Sequence, residues 1–257
     1  MTDHSSSSQS AFQPLIRLLS LPAGARIGIG PIFAALMLVI IVLAALLAAR
    51  AGACHDPPMT KTLKTAILLF PKFETLDVMG PVEMLGRNPD LFDLVMVAER
   101  PGMVHSTQGV GVGIAATLDD PADYDVLLLP GGAGTRTEVD NPALHDWIRE
   151  KSARARYVTT VCTGTALLAR TGLLDGKPAT TNKRAWDWVK TQGPNVDWVR
   201  RARWVEDGRF FTSSGVSAGT DMSLALIARI AGIEVARRTA LESEYVWNED
   251  PDDDPFA

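Results

Sequence analysis

The segment RYVTTVCTGTALLAR, residues 156–170, decides the fold because a strand in it runs directly into a helix. Cys162 lies at the turn between the two, and the helix begins at Thr163 or Gly164. A residue at such a turn has a strained backbone and presents its side chain at the carboxyl edge of the sheet. Helix N-terminal amides favour the thiolate, so the sequence predicts a thiol pKa below the free value of about 8.5. The alternative is a small buried hydrophobic residue, a common state of free cysteine.

Two further runs have the composition of strands that are buried on both faces, TAILLF at 65–70 and DVLLLP at 125–130. Before residue 156, the segment NPALHDWIREKSAR begins with Asn141 as a helix cap and Pro142 at the first helical position. Strand, helix and strand in this order predict a parallel sheet. The expected architecture is therefore a three-layer α/β/α sandwich with a mostly parallel sheet.

The end of this domain carries two more signals. The segment WVEDGRFFTSSG predicts a hairpin that turns at Asp207 and Gly208. The segment SAGTDMSLALIARIAG places Met222, Leu226 and Ile230 on one face of a helix. A small antiparallel addition and a late helix thus complete the predicted fold.

Two other segments contain candidate site residues. In PGGAG, Gly131 and Gly132 follow a strand, where their amides could bind an oxyanion, although any sharp turn also favours glycine. Asp77 follows the first strand, and a buried carboxylic acid there could donate a hydrogen bond to a thiolate. The alternative role of Asp77 is the cap of the helix that contains Pro81.

Five separated blocks resemble the ThiJ/PfpI superfamily, which is related to the class I glutamine amidotransferases. The blocks are LLFPKFETLDVMGPVEML, LPGGAGT, ARARYVTTVCTGTALLARTGLLDGKPATT, SSGVSAGTD and LESEYVWNEDPDDDPF. The resemblance covers about residues 62–257, is greatest to the isocyanide hydratase subgroup, and implies a flavodoxin-like fold. It also implies the site roles: Cys162 as the nucleophile, Asp77 as its acidic partner, Thr163 as a hydrogen-bond donor, and Gly131, Gly132 and Gly164 as oxyanion or substrate contacts.

Two positions depart from that subgroup. Asn182 and Lys183 stand where the hydratase has a histidine and an aromatic residue. Superfamily members with amidotransferase or protease-like activity have a histidine directly after the cysteine, where this chain has Thr163. We therefore expect chemistry by a polarised thiolate rather than a Cys-His triad, unless His105 or His145 approaches from elsewhere.

The first sixty residues differ in character from the rest. Residues 27–49 contain no charged side chain and are long enough to cross a bilayer, which needs ~20 apolar residues. We expect a disordered region over 1–26, a transmembrane or signal segment over 27–49, a linker over 50–61 and the ThiJ/PfpI-type domain over 62–257.

Several interpretations of the apolar segment stay open at this point. It could be a retained single-pass anchor of unknown orientation, a signal cleaved near Ala51 to Ala53, or a lipoprotein signal with Cys54 as the acylated residue. A translation start at Met59 would instead give a cytoplasmic protein. The expected localisation is the membrane.

Composition limits the partners. The net charge is −5, and the basic cluster of Arg200, Arg201 and Arg203 is expected to form a solvated face, so we expect no nucleic-acid partner. The spacing of the four histidines and two cysteines does not fit a zinc site, and we expect neither a metal nor a cofactor.

The resemblance implies two alternative functions. The first is a lyase of the isocyanide hydratase kind, which converts a small electrophilic isonitrile and water to an N-substituted formamide. The second is a non-catalytic redox-sensing or small-ligand-binding module of the same fold. The resemblance also implies a homodimer.

Overall fold

A seven-stranded sheet lies at the centre of residues 61–257, the part of the chain that the computed structural model describes. The strands of these residues are β1 (Leu63–Leu68), β2 (Phe92–Ala98), β3 (Met103–His105), β4 (Gly111–Gly113), β5 (Ala116–Thr117), β6 (Val126–Leu129), β7 (Tyr157–Val161), β8 (Pro178–Ala179), β9 (Asp197–Trp198), β10 (Trp204–Asp207) and β11 (Phe210–Ser213). The order in the large sheet is β10-β11-β7-β6-β1-β2-β5. Its neighbouring strands are parallel except for the β10–β11 pair, which is antiparallel.

Helices cover this sheet. They are α1 (Thr75–Gly86), α2 (Thr135–Glu138), α3 (Pro142–Arg154), α4 (Gly164–Arg170), α5 (Trp186–Gln192), α6 (Ala218–Ala231) and α7 (Ile233–Glu242). The crossover from β1 to β2 runs one way along the sheet, and the crossover from β6 to β7 runs the other way. Because such crossovers are right-handed, α1 and α3 lie on opposite faces. The fold is thus a flavodoxin-like α/β/α sandwich, as predicted.

The central strands are buried on both faces. Every residue of β6 and β7 is buried, which explains their continuous apolar and β-branched composition. The two threonines of β7 have partners inside the core: Thr159 Oγ1 donates to Leu127 O at 2.9 Å, and Thr160 Oγ1 lies 2.7 Å from Thr165 Oγ1. Hydrogen bonds therefore offset the desolvation of these two hydroxyl groups.

Local sequence signals predicted most of these elements. The runs 65–70, 125–130 and 156–161 correspond to β1, β6 and β7 within one or two residues. Asn141 caps α3, since its Oδ1 accepts from Leu144 N at 3.3 Å. The hairpin turn at Gly208 is also confirmed, with a φ of 60° that favours glycine.

The predicted membrane localisation is wrong for the part of the chain that the structure describes. Among the helices of residues 61–257, none is long and apolar enough to cross a membrane. The longest of them, α6, has 14 residues, and at ~1.5 Å per residue it is shorter than a hydrocarbon core of ~30 Å. The predictions for residues 1–60, including the segment 27–49, lie outside the described residues.

The basic cluster is not the solvated face that the sequence predicted. Arg200 and Arg201 are exposed, but Arg203 is buried, and its Nε donates to Asp221 Oδ2 at 2.6 Å. Asp221 Oδ1 accepts from the hydroxyl of Tyr245 at 3.0 Å and from Asn248 N at 3.1 Å. The sequence prediction failed because Asp221 is on α6, distant in sequence from Arg203. The bonds from Tyr245 and Asn248 to the same carboxylate fix the segment after α7 against α6.

This ion pair gives a stability prediction. Asp221→Ala leaves the buried Arg203 guanidinium without its counter-charge, and we expect the free energy of unfolding to fall by about 3–5 kcal/mol. Urea denaturation followed by circular dichroism measures this loss. The matched control is Asp93→Ala on the exposed side of β2, which should change stability by no more than about 0.5 kcal/mol. Equal effects of the two substitutions would contradict the prediction.

Candidate active site

Cys162 lies directly after β7 with a φ of 58°, in the left-handed region that L residues rarely adopt. Its amide donates to Ser213 O at 3.2 Å and Ser214 O at 3.1 Å, and its carbonyl accepts from Thr181 Oγ1 at 2.7 Å. Helix α4 begins two residues later. The predicted strand-to-helix turn is therefore present, and neighbouring segments hold both peptide groups of the strained residue.

The sulfur atom of Cys162 is enclosed rather than exposed at the sheet edge. The residue is 6% exposed. Its sulfur accepts hydrogen bonds from the Thr163 amide and from the Asn182 side chain, and it lies within hydrogen-bond reach of Asp77. The predicted partner and donor, Asp77 and Thr163, thus lie next to the thiol.

Asp77 is fully buried in the first turn of α1. The N-cap of this helix is Glu74, so the alternative role of Asp77 as the cap is wrong. Its Oδ2 accepts from Gly131 N at 2.9 Å, whereas Oδ1 has no hydrogen-bond partner among residues 61–257. Burial raises the pKa of Asp77 well above its ordinary value, the Gly131 amide opposes this, and the charge of Glu74 adds to it.

The pKa of Cys162 is also raised, which is opposite to the predicted direction. Burial of the thiol is the main cause, and the negative charge of Asp77 is the second. The hydrogen bonds from Thr163 N and Asn182 lower this pKa but do not outweigh the burial. Asp77 disfavours the thiolate, whereas the hydrogen bond from the Cys162 thiol lowers the pKa of Asp77, so the thiol and the carboxyl titrate as a coupled pair.

The two consecutive glycines fix the acid and the threonine. Gly131 donates to Asp77 Oδ2, and Gly132 N donates to Thr163 Oγ1 at 3.0 Å. A Cβ on Gly131 would lie 2.6 Å from Thr163 N and 2.8 Å from Asp77 Oδ2. The amides of Gly131 and Gly132, which the sequence analysis predicted as donors to an oxyanion, therefore already donate to side chains in this structure.

Thr163 and Gly164 make further contacts at this turn. The Thr163 hydroxyl also accepts from Thr135 Oγ1 at 3.1 Å. A Cβ on Gly164 would lie 2.1 Å from Leu129 O, so glycine at this position lets the start of α4 approach the end of β6. Gly164 shapes the site through backbone packing.

Asn182 and Gly215 are site residues to which the sequence analysis gave no role. Asn182 Oδ1 accepts from Ala185 N at 2.9 Å, and this bond orients the amide group towards the sulfur. A Cβ on Gly215 would lie 2.0 Å from Asn182 Nδ2 and 3.1 Å from Cys162 Sγ. The block SSGVSAGTD contained Gly215, but only the pairing of β11 with β7 brings it to the thiol.

Neither histidine that the sequence considered is a partner of the thiol. His105 is on β3, and His145 is on α3. Neither is among the groups that shift the pKa of the Cys162 thiol, which are Asp77, Thr163 and Asn182. A Cys-His pair is thus not formed in this part of the chain, and the acid beside the sulfur is Asp77.

A cavity of about 450 Å³ lies beside Asn182 and Gly215. Leu76, Lys183, Ser214 and Phe256 are also among its lining residues. A larger cavity of about 1000 Å³ lies near the ends of β1 and β2, and Cys162 and Asp77 line neither cavity. Asn182 and Gly215 connect the smaller cavity to the sulfur, and we therefore take it as the candidate substrate site.

Comparisons with known proteins place this chain in one family. The model of the DJ-1/PfpI family matches residues 63–229. Isonitrile hydratase of Pseudomonas putida is 37% identical over 185 residues, which are 71% of this chain and 78% of that protein. The HTH-type transcriptional regulator CdhR of Pseudomonas aeruginosa is 30% identical over 173 residues, which are 66% of this chain and 51% of the regulator. A crystal structure of a ThiJ/PfpI family protein from Pseudomonas syringae has a TM-score of 0.67 at 30% identity and covers 77% of this chain and 84% of that chain.

The close approach at Gly215 gives one prediction. In Gly215→Ala the new methyl group displaces the Asn182 amide from the sulfur, and we expect the rate of Cys162 alkylation by iodoacetamide to change by about threefold or more. Peptide-resolved mass spectrometry measures this rate separately from that of Cys54. Gly113→Ala is the control, since its Cβ meets nothing within 4 Å. An unchanged rate in Gly215→Ala would contradict the assigned contact.

The coupled pair gives a pH prediction. The charge of Asp77 raises the pKa of Cys162, so Asp77→Asn should move the midpoint of the alkylation rate to lower pH. The rate of iodoacetamide labelling between pH 6 and 11 measures this shift. Asp93→Asn, a distant exposed carboxylate, should leave the midpoint in place. A midpoint that stays or rises in Asp77→Asn would show that the carboxylate does not oppose thiolate formation.

Proposed function

We propose that this chain, which belongs to the DJ-1/PfpI family, is a cysteine-dependent enzyme that adds water to an isonitrile and releases an N-substituted formamide. The observation that carries the proposal is the thiol of Cys162 in a left-handed turn within hydrogen-bond reach of the buried Asp77. The resemblance to isonitrile hydratase, at 37% identity, supports the choice of substrate class. The fold alone would not support a choice of substrate class, because one fold supports many activities.

In the first step Cys162 adds to the terminal carbon of the isonitrile. The S–C bond forms while Asp77 takes the thiol proton and delivers it to the same carbon, which gives a thioimidate, Cys–S–CH=N–R. The raised pKa of Asp77 suits this role, because a carboxylate with a raised pKa is a stronger base. The thiol proton thus needs no histidine.

In the second step water adds across the C=N bond of the thioimidate. One proton of the water goes to nitrogen, and the hydroxyl group goes to carbon. The C–S bond then breaks, and Asp77 transfers the hydroxyl proton to the departing sulfur. The products are R–NH–CHO and the free thiol, so the reaction is balanced without a cofactor or a redox partner.

Asn182 and Thr163 stabilise the negative charge on sulfur as it enters and leaves. Hydrogen bonds from both residues already lower the pKa of the Cys162 thiol, so little reorganisation is needed when charge develops. Asn182 would thereby fill the position at which the hydratase subgroup has a histidine. A neutral amide can donate a hydrogen bond there but cannot transfer a proton, which leaves proton transfer to Asp77.

The second candidate function is a small-ligand-binding module. The 30% identity to a transcriptional regulator over about half of that protein supports it, as does the cavity beside Asn182 and Gly215. Burial of the thiol disfavours a redox-sensing version, because oxidation requires an accessible thiolate. Saturable binding of isonitrile without release of formamide would favour the binding module over the enzyme.

Cys162→Ala tests the enzyme directly. We expect the release of formamide from benzyl isonitrile, measured by the formyl proton signal in NMR, to fall by ~10³-fold or more, since no other nucleophile would replace the sulfur. Mass spectrometry of the wild type should also detect an adduct with the mass of the isonitrile on Cys162. The matched control is Ser152→Ala, which removes one buried heavy atom from α3 and should retain turnover. Full activity of Cys162→Ala would refute the mechanism.

A further inference from the structure

The segment that follows α7 places its last aromatic residue at the candidate substrate site. Phe256 lines the 450 Å³ cavity together with Asn182 and Gly215, and both of these lie at the Cys162 sulfur. Its ring is 67% exposed. Leu76, from α1, is a second lining residue with an exposed apolar side chain. The cavity therefore has apolar groups at its open side and polar groups at the sulfur.

A buried ion pair holds this segment in place. The carboxylate of Asp254 is fully buried, and its Oδ2 lies 3.4 Å from Lys183 Nζ. Lys183 Nζ also donates to Thr180 Oγ1 at 2.7 Å and Ala202 O at 2.9 Å. Burial lowers the pKa of Lys183 to about 8, and the charge of Asp254 acts in the opposite direction. A fully buried carboxylate is costly unless it is paired, so the pair anchors the segment.

The same carboxylate also positions Phe256. Asp254 Oδ1 accepts from Phe256 N at 3.0 Å, and Asp254 N donates to Arg201 O at 3.0 Å. Further back along the segment, Pro251 O accepts from Arg203 N at 2.7 Å. One oxygen of Asp254 thus faces Lys183, and the other fixes the backbone of the residue that lines the cavity.

We infer that Phe256 is a specificity-determining residue and that the Lys183–Asp254 pair positions it. The ring of Phe256, with Leu76, forms a subsite for an apolar group on the substrate, and on the proposed function this group is the N-substituent of the isonitrile. Burial of such a group against two exposed apolar side chains favours large apolar substituents over a methyl group.

The experiment measures selectivity at Cys162 without requiring hydration. Full-length wild type and variants are alkylated with iodoacetamide and with N-benzyl iodoacetamide, and mass spectrometry gives the ratio of the two rates at Cys162. Phe256→Ala should lower the benzyl preference by about tenfold and leave the rate with iodoacetamide within about twofold. Asp254→Asn should lower the same preference. The control is Val246→Ala, which truncates a more exposed apolar side chain of the same segment and should leave the ratio unchanged.

The double variant separates positioning from general destabilisation. If Asp254 acts through Phe256, Asp254→Asn should not lower the benzyl preference further in the Phe256→Ala background. An unchanged preference in Phe256→Ala, or no labelling of wild-type Cys162 by either reagent, would overturn the inference. Loss of benzyl preference without any isonitrile turnover would uphold the subsite and refute the proposed function. Isonitrile turnover together with an unaltered benzyl preference in Phe256→Ala would uphold the proposed function and refute the subsite.

Discussion

The left-handed backbone of Cys162 is the constraint on which the site depends. A non-glycine residue in this region costs of order 1–3 kcal/mol, so the surrounding structure has to hold it. The Cys162 amide is fixed by carbonyl groups at the end of β11, and its carbonyl is fixed by Thr181. These bonds connect three segments that are distant in sequence. The turn therefore exists only because the sheet pairs β7 with β11.

The residues around this turn are closely packed. Gly131, Gly164 and Gly215 each occupy a position where a Cβ would overlap a backbone or site atom. The absence of these side chains lets Asp77, Thr163 and Asn182 approach the sulfur. The result is a thiol in a dry environment that has hydrogen-bond donors and one acid. In such an environment the proton has to move together with the bond to carbon, because a free thiolate is disfavoured.

The segment after α7 adds residues to the site that lie outside the central sheet and its crossover helices. Asp221 Oδ1, on α6, accepts from Tyr245 and Asn248 of this segment, and Asp254 of the same segment forms a buried ion pair with Lys183. The thiol and the residues that line the cavity therefore come from parts of the chain that are distant in sequence.

The sequence by itself determined the family, the three central strands, the capped helix α3 and the position of Cys162 at a strand-to-helix turn. These features depend on residues that are neighbours along the chain, such as Asn141 with Pro142 or Val161 with Cys162. The resemblance to the ThiJ/PfpI superfamily also predicted that Asp77 and Thr163 are site residues. Only the tertiary structure decided the direction of the Cys162 pKa, the acceptors of the Gly131 and Gly132 amides, the burial of Arg203 and the position of Phe256. Burial and hydrogen-bond partners are set by segments that meet after folding, and a local pattern contains no information about which distant segment will exclude water from a given atom.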